Sequence, residues 1–505
     1  MDPRSSAVLA DPAVDLDDPL AIRRGAAEGG EPRAPRVLTA LGRARALCDP
    51  GTFLDVAPQR RRRGSAYPGA PEGRDGDGVV AGWGLARGRP IVVVSQDFSV
   101  AGGSIGAAFA DKVMRAQRLA IDRRCPVVYL NDSGGARVHE GIEALHGCGG
   151  IMALNVAARR VVPQVSVILG PCAGAAAYSP ALTDWTVMVP GASQMFLTGP
   201  EIVRAATGED VEPEDLGGAG LHTRESGVAH LLASTEEEAL RSALRLLSFL
   251  PSGAGGPLPR APVGLSLGSV REPLADLLPA SPRAPFDMWR VLSAVLDAGD
   301  PLELMGAYGP GVITALGRLD GVPVGVVASQ PARLGGILDS RGAAKVARFV
   351  SFCGRFGLPI LTFVDVPGFL PGSAEERRGI INQGAAMLAA YVEAPSPKLT
   401  VIVRKAYGGA YIAMGSRSVG ADFTWAWPGA EIAVMGPEAA VGLLHRRELA
   451  TDGNPSALRG ELAARYRETV TSPFLAAEAG VIDEVIYPEE TRERMSAALR
   501  FCLAS

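Results

Sequence analysis

CPVVYLNDSGGAR, at residues 125–137, and LPILTFVDVPGFLPG, at residues 358–372, are two versions of one pattern. Each contains a proline, a short apolar run, an aspartate and then a turn with glycine. An apolar run of this length without polar alternation is typical of a strand buried on both faces, as in parallel sheets. The two stretches therefore predict the same strand and turn twice in one chain.

Three further pairs of segments repeat in the same order around these two. They are RPIVVVSQDFSVAGGSIG (89–106) with VPVGVVASQPARLGGILDS (322–340), VPQVSVILGPCAGAAAY (162–178) with SPKLTVIVRKAYGGAY (396–411), and MFLTGPEIV (195–203) with IAVMGPEAA (432–440). The spacing is nearly constant: 233 positions from Asp132 to Asp365 (365 − 132), 234 from Gly174 to Gly408 (408 − 174) and 237 from Pro200 to Pro437 (437 − 200). Internal similarity at a fixed spacing indicates a repeated structural unit, so we expect two copies of one α/β fold.

The local patterns within each copy alternate between strand and helix. Apolar runs such as VVYL, VSVIL, ILTFV and LTVIV predict strands, and residues 104–124 and 342–356 show helical periodicity. This alternation favours βαβ units with right-handed crossovers.

Length and composition limit the possible classes of protein. The chain has 505 residues, which suits about three domains or two larger ones. The net charge of −4 gives no general attraction to nucleic acid. No apolar stretch is long enough to span a membrane, and the acidic N-terminus lacks the apolar core of a signal sequence. The six cysteines form no CxxC pair and no histidines have zinc spacing, so we expect no metal site and a reducing, cytoplasmic location.

Two polar regions divide the chain. Residues 1–75 are rich in Arg and Pro, with one amphipathic helix expected at 38–49 and a mobile loop at 60–78, whose run Arg60 to Arg63 is interpreted as solvated. A second region rich in Pro and Gly lies at 251–285. These breaks predict an N-terminal extension (1–75), a first domain (76–260) and a second domain (261–505).

The glycine turns that follow two of the strands are candidate oxyanion sites. Gly174-Ala175-Ala176-Ala177 and Gly408-Gly409-Ala410 stand where helices should begin, and a helix start exposes unpaired N–H groups. Small side chains allow a carbonyl oxygen to approach those N–H groups closely. Close packing of helix on strand also requires Gly and Ala, but the matched positions in the repeat favour paired oxyanion sites.

The turns after Asp132 and Asp365, residues 133–137 and 367–372, are candidate ligand-binding loops. Ligands collect at the carboxyl ends of strands in open α/β sheets, although both aspartates equally suit helix caps. The chain has no P-loop motif, and its five histidines suit structural roles. The chemistry is therefore expected to use backbone donors and a bound cofactor.

At these segments the chain resembles the acyl-CoA carboxylase β-subunit (carboxyltransferase) family, which includes propionyl-CoA carboxylase β chains. The resemblance runs from about residue 76 to residue 500. It rests on GDGVVAGWG, SQDFSVAGGSIG, NDSGGARVHEG, GPCAGAAAYSPALTDW, FLTGPEIVRAATGEDVEPEDLGGAGLH, SGVAH, SQPARLGGILD, FVDVPGFLPG, RKAYGGAYIAMGS and AWPGAEIAVMGPE.

This resemblance implies two tandem crotonase-like (ClpP/crotonase) domains in a homohexamer, with each active site formed by the first half of one subunit and the second half of another. The first half would hold the acyl-CoA and the second half biotin. No AMKM-like attachment sequence occurs, so the biotin would come on a separate biotinylated α subunit with biotin carboxylase. After CO2 leaves carboxybiotin, the ureido nitrogen would take the α-proton of the acyl-CoA, so no protein base would be needed.

The resemblance also implies the role of individual residues. Gly174 and Ala175 would stabilise the thioester enolate, and Gly409 and Ala410 the ureido oxygen of biotin. The remaining assignments are acyl-CoA contacts at Ser133, Gly134, Gly135, Ala136, Arg137, Tyr178 and Ile412, and biotin contacts at Gly408, Pro367, Gly368 and Phe369.

The chain departs from the family pattern at three places. Ala175 replaces a usual glycine, Ile412 stands where propionyl-selective members often carry Asp, and residues 1–75 lack a Lys-Gly-Lys-Leu region. Ile412 indicates a broader or different acyl range, with core packing as the alternative role. Three other functions fit the same repeat: a biotin-dependent decarboxylase or transcarboxylase subunit, a crotonase-like hydratase, and a non-catalytic scaffold.

Overall fold

The structure is a computed structural model that describes residues 38–62, 67, 73–262, 273–279, 281, 284–299 and 301–504. These residues form two compact units. The first contains the described residues up to His222 together with Val228–Leu247, and the second contains Thr223–Gly227 and the residues from Ser248 onwards. The domain boundaries expected at 75/76 and 260/261 stay predictions.

The first unit alternates strands and helices, as the sequence predicted. Its elements in chain order are α1 (Ala40–Ala46), β1 (Leu54–Asp55), β2 (Val79–Ala86), β3 (Arg89–Gln96), α2 (Ala107–Arg123), β4 (Val127–Ser133), α3 (Ile142–Ala158), β5 (Gln164–Ala173), α4 (Tyr178–Leu182), β6 (Trp185–Met188), β7 (Gln194–Phe196), α5 (Pro200–Thr207), α6 (Pro213–Gly217), α7 (Ala219–Leu221), β8 (Leu231–Leu232) and α8 (Glu236–Leu247).

The second unit repeats this order and adds helices near its end. Its elements are α9 (Met288–Val295), β9 (Leu302–Glu303), β10 (Val312–Leu319), β11 (Val322–Ser329), α10 (Ser340–Phe356), β12 (Ile360–Val366), α11 (Ser373–Arg377), α12 (Ile380–Glu393), β13 (Lys398–Tyr407), α13 (Gly408–Ala413), β14 (Phe423–Ala426), β15 (Glu431–Ala433), α14 (Pro437–Leu444), α15 (Arg446–Thr451), α16 (Pro455–Val470), α17 (Pro473–Glu478), β16 (Glu484–Val485) and α18 (Thr491–Leu503).

The two sheets have the same topology. The order is β1-β2-β3-β4-β5-β6-β8 in the first and β9-β10-β11-β12-β13-β14-β16 in the second, and β7 and β15 add to the ends of β5 and β13. An antiparallel hairpin (β2 with β3, β10 with β11) leads into parallel strands in both units. The prediction of two copies of one α/β fold is confirmed.

The two sheets also share a shift in strand register at equivalent positions. Between β4 and β5 the register shifts at Asn131/Ser133, and between β12 and β13 it shifts at Val364/Val366. The shift places Asp132 and Asp365 in matching bulges at the strand ends. Bulges redirect side chains at the rim of a sheet, where active sites lie.

Both faces of each sheet are covered by apolar contacts. In the first unit α2 and α3 pack with Val92, Val127 and Ile168 in one cluster. The alternating residues Val93 and Val128 are also fully buried, and α1 and α8 pack against the sheet as well. Strands enclosed on both faces need continuous apolar runs, which explains why the sequence pattern identified them.

The N-terminal helix expected at 38–49 is confirmed as α1, where the Thr39 hydroxyl accepts from the N–H of Gly42 at 3.0 Å. The helices expected at 104–124 and 342–356 are confirmed as α2 and α10. Much of the loop at 60–78 and the middle of the break at 251–285 lie outside the described residues. Among the helices that the structure describes, none combines the length and apolar character needed to cross a bilayer.

Two adjacent glycines before α10 differ in how closely the backbone at the end of β12 approaches them. Gly336 has φ +79°, and a Cβ there would lie 2.4 Å from the carbonyl oxygen of Asp365, whereas Gly335 has φ +62° with open space around it. We expect Gly336→Ala to lower the free energy of unfolding by about 3 kcal/mol, because left-handed strain adds to a backbone clash. Gly335→Ala adds left-handed strain without a clash and should lower the free energy of unfolding by about 1 kcal/mol.

Urea and thermal unfolding of both variants, followed by circular dichroism, measure the difference. Equal losses for the two variants would contradict the close approach of Gly336 to the bulge.

Candidate active site

The carboxyl ends of neighbouring parallel strands bring the predicted loops together in the first unit. The loop after β3 pairs with the turn after β4: the N–H of Gly134 donates to Gly102 at 2.9 Å, and the N–H of Ile105 donates to Gly135 at 2.8 Å. The turn Ser133–Ala136 is therefore held by the backbone on one side, while Gly134 itself remains exposed.

The same turn lies against the start of the helix that follows β5. Gly174 has φ +57° and opens a short 3-10 helix, Gly174–Ala177. A Cβ on Gly135 would lie 2.8 Å from the carbonyl oxygen of Ala173 and 3.8 Å from the Cα of Gly174. The structure thus brings together Ser133–Ala136 and Gly174–Ala175, which the sequence assigned to one site.

The second unit builds the matching site from matching residues. Gly408 has φ +59° and begins α13, and the place of a Cβ on Gly409 is 3.9 Å from the ring of Phe369. The N–H of Leu338 donates to Gly368 at 3.1 Å, as that of Ile105 does to Gly135 in the first unit. Pro367–Phe369 and Gly408–Ala410 therefore form one group.

The backbone donors of both turns are available. Ala175, Gly409 and Ala410 stand in the first turn of their helices, where N–H groups have no acceptor within the helix. Outside the helices as well, none of these three N–H groups donates to a backbone carbonyl in the described part of the chain. Gly409 is exposed and Ala175 half-buried, so a ligand oxygen has access to both.

Exposed apolar side chains flank each turn at equivalent positions. Tyr178 is the fourth residue after Gly174 and Ile412 the fourth after Gly408, and their exposures are 49% and 43%. Leu197 and Val434, in the loops that face the two turns, are also exposed. Each set of backbone donors is thus bordered by apolar surface.

The aspartates at these strand ends form buried ion pairs within the fold. Asp132 and Asp365 are fully buried and contact Arg43 and Arg404 respectively. Burial raises the pKa of the neighbouring Cys172 thiol to about 12, so it is not a nucleophile at neutral pH. Among the described residues no group of three or more His, Cys, Asp and Glu side chains is placed to hold a metal ion.

The family model for the carboxyl transferase domain matches residues 36–504. The chain belongs to this family. This carboxyltransferase is 47% identical to a propionyl-CoA carboxylase beta chain of Saccharopolyspora erythraea, over 92% of this chain and 87% of the relative. It is 44% identical to the methylmalonyl-CoA decarboxylase subunit alpha of Veillonella parvula, over 94% and 92% of the two chains.

A solved structure extends the similarity to the fold. The transcarboxylase 12S hexamer, crystallised with methylmalonyl-coenzyme A and methylmalonic acid, superposes with a TM-score of 0.88 at 42% identity. The superposition covers 93% of this chain and 90% of that chain. The α/β fold with two crotonase-like domains and the membership of a carboxyltransferase family, both predicted from sequence, are confirmed.

Arg137, predicted to contact acyl-CoA, is enclosed in this carboxyltransferase. Its guanidinium contacts Asp77 and Glu140, each at 2.9 Å, and donates to the carbonyl oxygens of Asp77 and Ser104. These contacts fasten the turn after β4 to the loops around it. Its contact with substrate stays a prediction, as do the individual roles of the other site residues.

Sequence reasoning missed the residues that support the loops. Glu140 accepts from the first N–H of α2 at 2.7 Å, and Glu375 does the same for α10 at 2.8 Å. The repeat offset relates these two glutamates (375 − 140 = 235), so aligning the two halves residue by residue offered a signal for them. Arg43 and Asp77 have no counterpart in the quoted repeats, and nothing in the pattern marked them.

The enclosure of Arg137 gives a stability prediction. Arg137→Ala leaves the carboxylates of Asp77 and Glu140 buried without their shared partner, which should lower the free energy of unfolding by about 3–5 kcal/mol. Arg204→Ala removes an exposed ion pair with Asp210 and should cost less than about 0.5 kcal/mol. Chemical denaturation measures both; a small effect for Arg137→Ala would refute its structural role.

Proposed function

We propose that this carboxyltransferase moves the carboxyl group of carboxybiotin to the α-carbon of a short or medium acyl-CoA. The observation that carries the proposal is the pair of matched helix starts, Gly174–Ala175 and Gly409–Ala410, with unpaired N–H groups. Preorganised backbone donors stabilise an oxygen that becomes negative in the transition state. Transfer between a thioester and a urea develops two such oxygens, one for each turn.

The first unit suits the acyl-CoA. The N–H of Ala175, at a helix start, donates to the thioester oxygen as enolate character develops there, and the positive end of the short helix adds to this stabilisation. The exposed apolar surface of Tyr178 and Leu197 borders the turn and suits the acyl chain. Ala175 in place of glycine keeps the N–H and adds only one methyl group.

The second unit suits biotin. Gly409 is open except for the ring of Phe369, so the flat ureido group can approach the N–H groups of Gly409 and Ala410. Bound carboxybiotin supplies the carboxyl group and, once that has left, a ureido nitrogen able to accept the α-proton. The chain's own contribution is to bind the ureido oxygen through these donors and to position it.

We propose that biotin arrives on another protein, a biotinylated α subunit that also carries biotin carboxylase. The chain has four lysines, Lys112, Lys345, Lys398 and Lys405, each within a helix or strand and none exposed. An enzyme that attaches biotin to lysine needs an accessible amine, whereas three of these lysines are buried and Lys405 is half-buried. We also propose a homohexamer, as in the transcarboxylase 12S structure, and a cytoplasmic location, which suits six cysteines without disulfides.

The alternatives differ in what they require. Decarboxylation uses the same donors in reverse, and the Veillonella relative is named for that direction. Hydration of an enoyl-CoA needs acid and base carboxylates, whereas Asp132 and Asp365 at these strand ends contact arginines inside the fold. A non-catalytic scaffold would not need unpaired donors.

One assay separates these functions. The chain is combined with a biotinylated partner subunit, ATP and bicarbonate, and carboxylation of acetyl-, propionyl- and butyryl-CoA is measured. Decarboxylation of methylmalonyl-CoA and hydration of crotonyl-CoA are measured beside it. Turnover of crotonyl-CoA without biotin would overturn the proposal, and activity in none of the three measurements would favour a scaffold.

The donor at residue 175 can be removed selectively. Proline is tolerated in the first turn of a helix and lacks an N–H, so Ala175→Pro should lower kcat by about 100- to 1000-fold. Ala175→Gly retains the N–H and should keep at least the parental rate. Melting temperatures of both variants control for folding; full activity in a folded Ala175→Pro variant would exclude this donor.

Residue 412 tests acyl preference. Its 43% exposure on α13 means that a polar residue there does not enter the core. We expect Ile412→Asp to shift preference toward propionyl-CoA, measured as the ratios of kcat/KM for acetyl-, propionyl- and butyryl-CoA. Unchanged ratios across the three substrates would contradict this role; Ile412→Val, which stays apolar, is the control.

A further inference from the structure

The two bulge aspartates are held by arginines of different origin. In the second unit Arg404, on the adjacent strand β13, donates to Asp365 through Nε and Nη2 at 3.0 and 2.8 Å. The next N–H along that strand, of Lys405, donates to the other carboxylate oxygen at 3.1 Å. Strand β13 therefore holds Asp365 directly, three residues before Gly408 begins its turn.

The first unit lacks both of these donors. The repeat offset of 234 places Gly170 at the position of Arg404 (404 − 234) and Pro171 at that of Lys405 (405 − 234). Proline has no N–H to donate. A Cβ on Gly170 would lie 2.2 Å from Oδ1 of Asp132, so the carboxylate itself lies over the glycine.

Arg43 of the N-terminal helix takes the place of the missing arginine. Its Nη1 lies 3.3 Å from Oδ2 of Asp132, and its Nε and Nη2 donate to the two carboxylate oxygens of Glu236 at 2.8 and 2.7 Å. The side chain is only 2% exposed. Burial alone would lower its pKa, but the hydrogen bonds and charge of Glu236, with Asp132, raise the pKa of Arg43, so it stays charged.

This contact lies next to the turn that carries the donors of the first unit. Immediately after Asp132 the ladder resumes with Ser133 opposite Cys172, two residues before Gly174. The N–H of Asp132 also donates to Gln96 at 2.7 Å, which ties the bulge to β3. The orientation of Asp132 thus bears on both the Ser133–Ala136 turn and the end of β5.

We propose that Arg43, from a helix outside the repeat, positions the acyl-CoA side of the active site by holding Asp132. The inference rests on the proposed function for the identity of the ligand. Arg43 is a positioning residue, because it acts through Asp132 and the bulge rather than on substrate. Residues 38–49 thus supply the guanidinium that β13 supplies in the second unit.

The test uses the full chain with its biotinylated partner. Arg43→Ala should lower kcat/KM for acyl-CoA by up to about 100-fold, because small displacements of a catalytic donor have effects of this size. The apparent KM for the biotinylated partner should stay unchanged. Arg404→Ala should raise the apparent KM for the biotinylated partner and leave kcat/KM for acyl-CoA unchanged. Arg45 is an exposed residue of the same helix as Arg43, and Arg45→Ala should leave both quantities unchanged.

A relocated arginine separates positioning from general stability. In the double variant Arg43→Ala/Gly170→Arg the guanidinium comes from β5, as Arg404 does from β13. Asp132 must rotate away from the new Cβ, which would lie 2.2 Å from its Oδ1. Recovery of kcat/KM by at least tenfold over Arg43→Ala supports the proposal. A double variant that melts like the parent but stays as impaired as Arg43→Ala would overturn it.

Hydrogen–deuterium exchange tests the role of Arg43 independently of whether the proposed function is correct. Arg43→Ala should increase exchange in residues 131–137 and 172–178, with residues 364–370 and 406–412 unchanged, whatever the enzyme's substrate. If the parent chain carboxylates no acyl-CoA, the proposed function fails while the exchange pattern still decides the role of Arg43. Equal exchange in parent and variant would refute the positioning role.

Discussion

The site depends on one constraint of the backbone: a left-handed glycine directly after the longest parallel strand of each sheet. Gly174 and Gly408 both have positive φ, which only glycine adopts without strain, and both turn the chain at once into a helix. The turn leaves the first N–H groups of that helix without partners at the carboxyl edge of the sheet. Buried ionisable groups are not needed to place positive potential there, since the backbone provides it.

Everything around the two turns keeps that backbone in place. Loops from the neighbouring strands pair with each other, a glutamate holds the start of the preceding helix, and a buried ion pair holds the bulge. The glutamates and the ion pairs among these supports are charged and buried, so removing one partner leaves an uncompensated charge. Rigid support matters because oxyanion donors act only when they are held at the reacting oxygen before the reaction begins.

The duplication gives one chain two sites of the same geometry with different surroundings. Phe369 borders the second turn where Ala136 stands in the first, and the apolar residues at the mouth are Tyr178 and Leu197 in one unit and Ile412 and Val434 in the other. In the proposed function the same kind of donor serves a thioester and a urea, because both present a carbonyl oxygen. Within that proposal, the differences in bordering side chains distinguish the acyl-CoA side from the biotin side.

The sequence by itself determined the duplicated α/β fold, the strands, the principal helices and the two glycine turns. Local pattern carries this information, because strands buried on both faces require continuous apolar runs and left-handed turns require glycine. Only the tertiary structure revealed that Arg137 is enclosed and that Arg43 reaches Asp132 from 89 positions away. Such contacts join segments distant along the chain, and a side chain's partner depends on where the fold places it rather than on its neighbours in sequence.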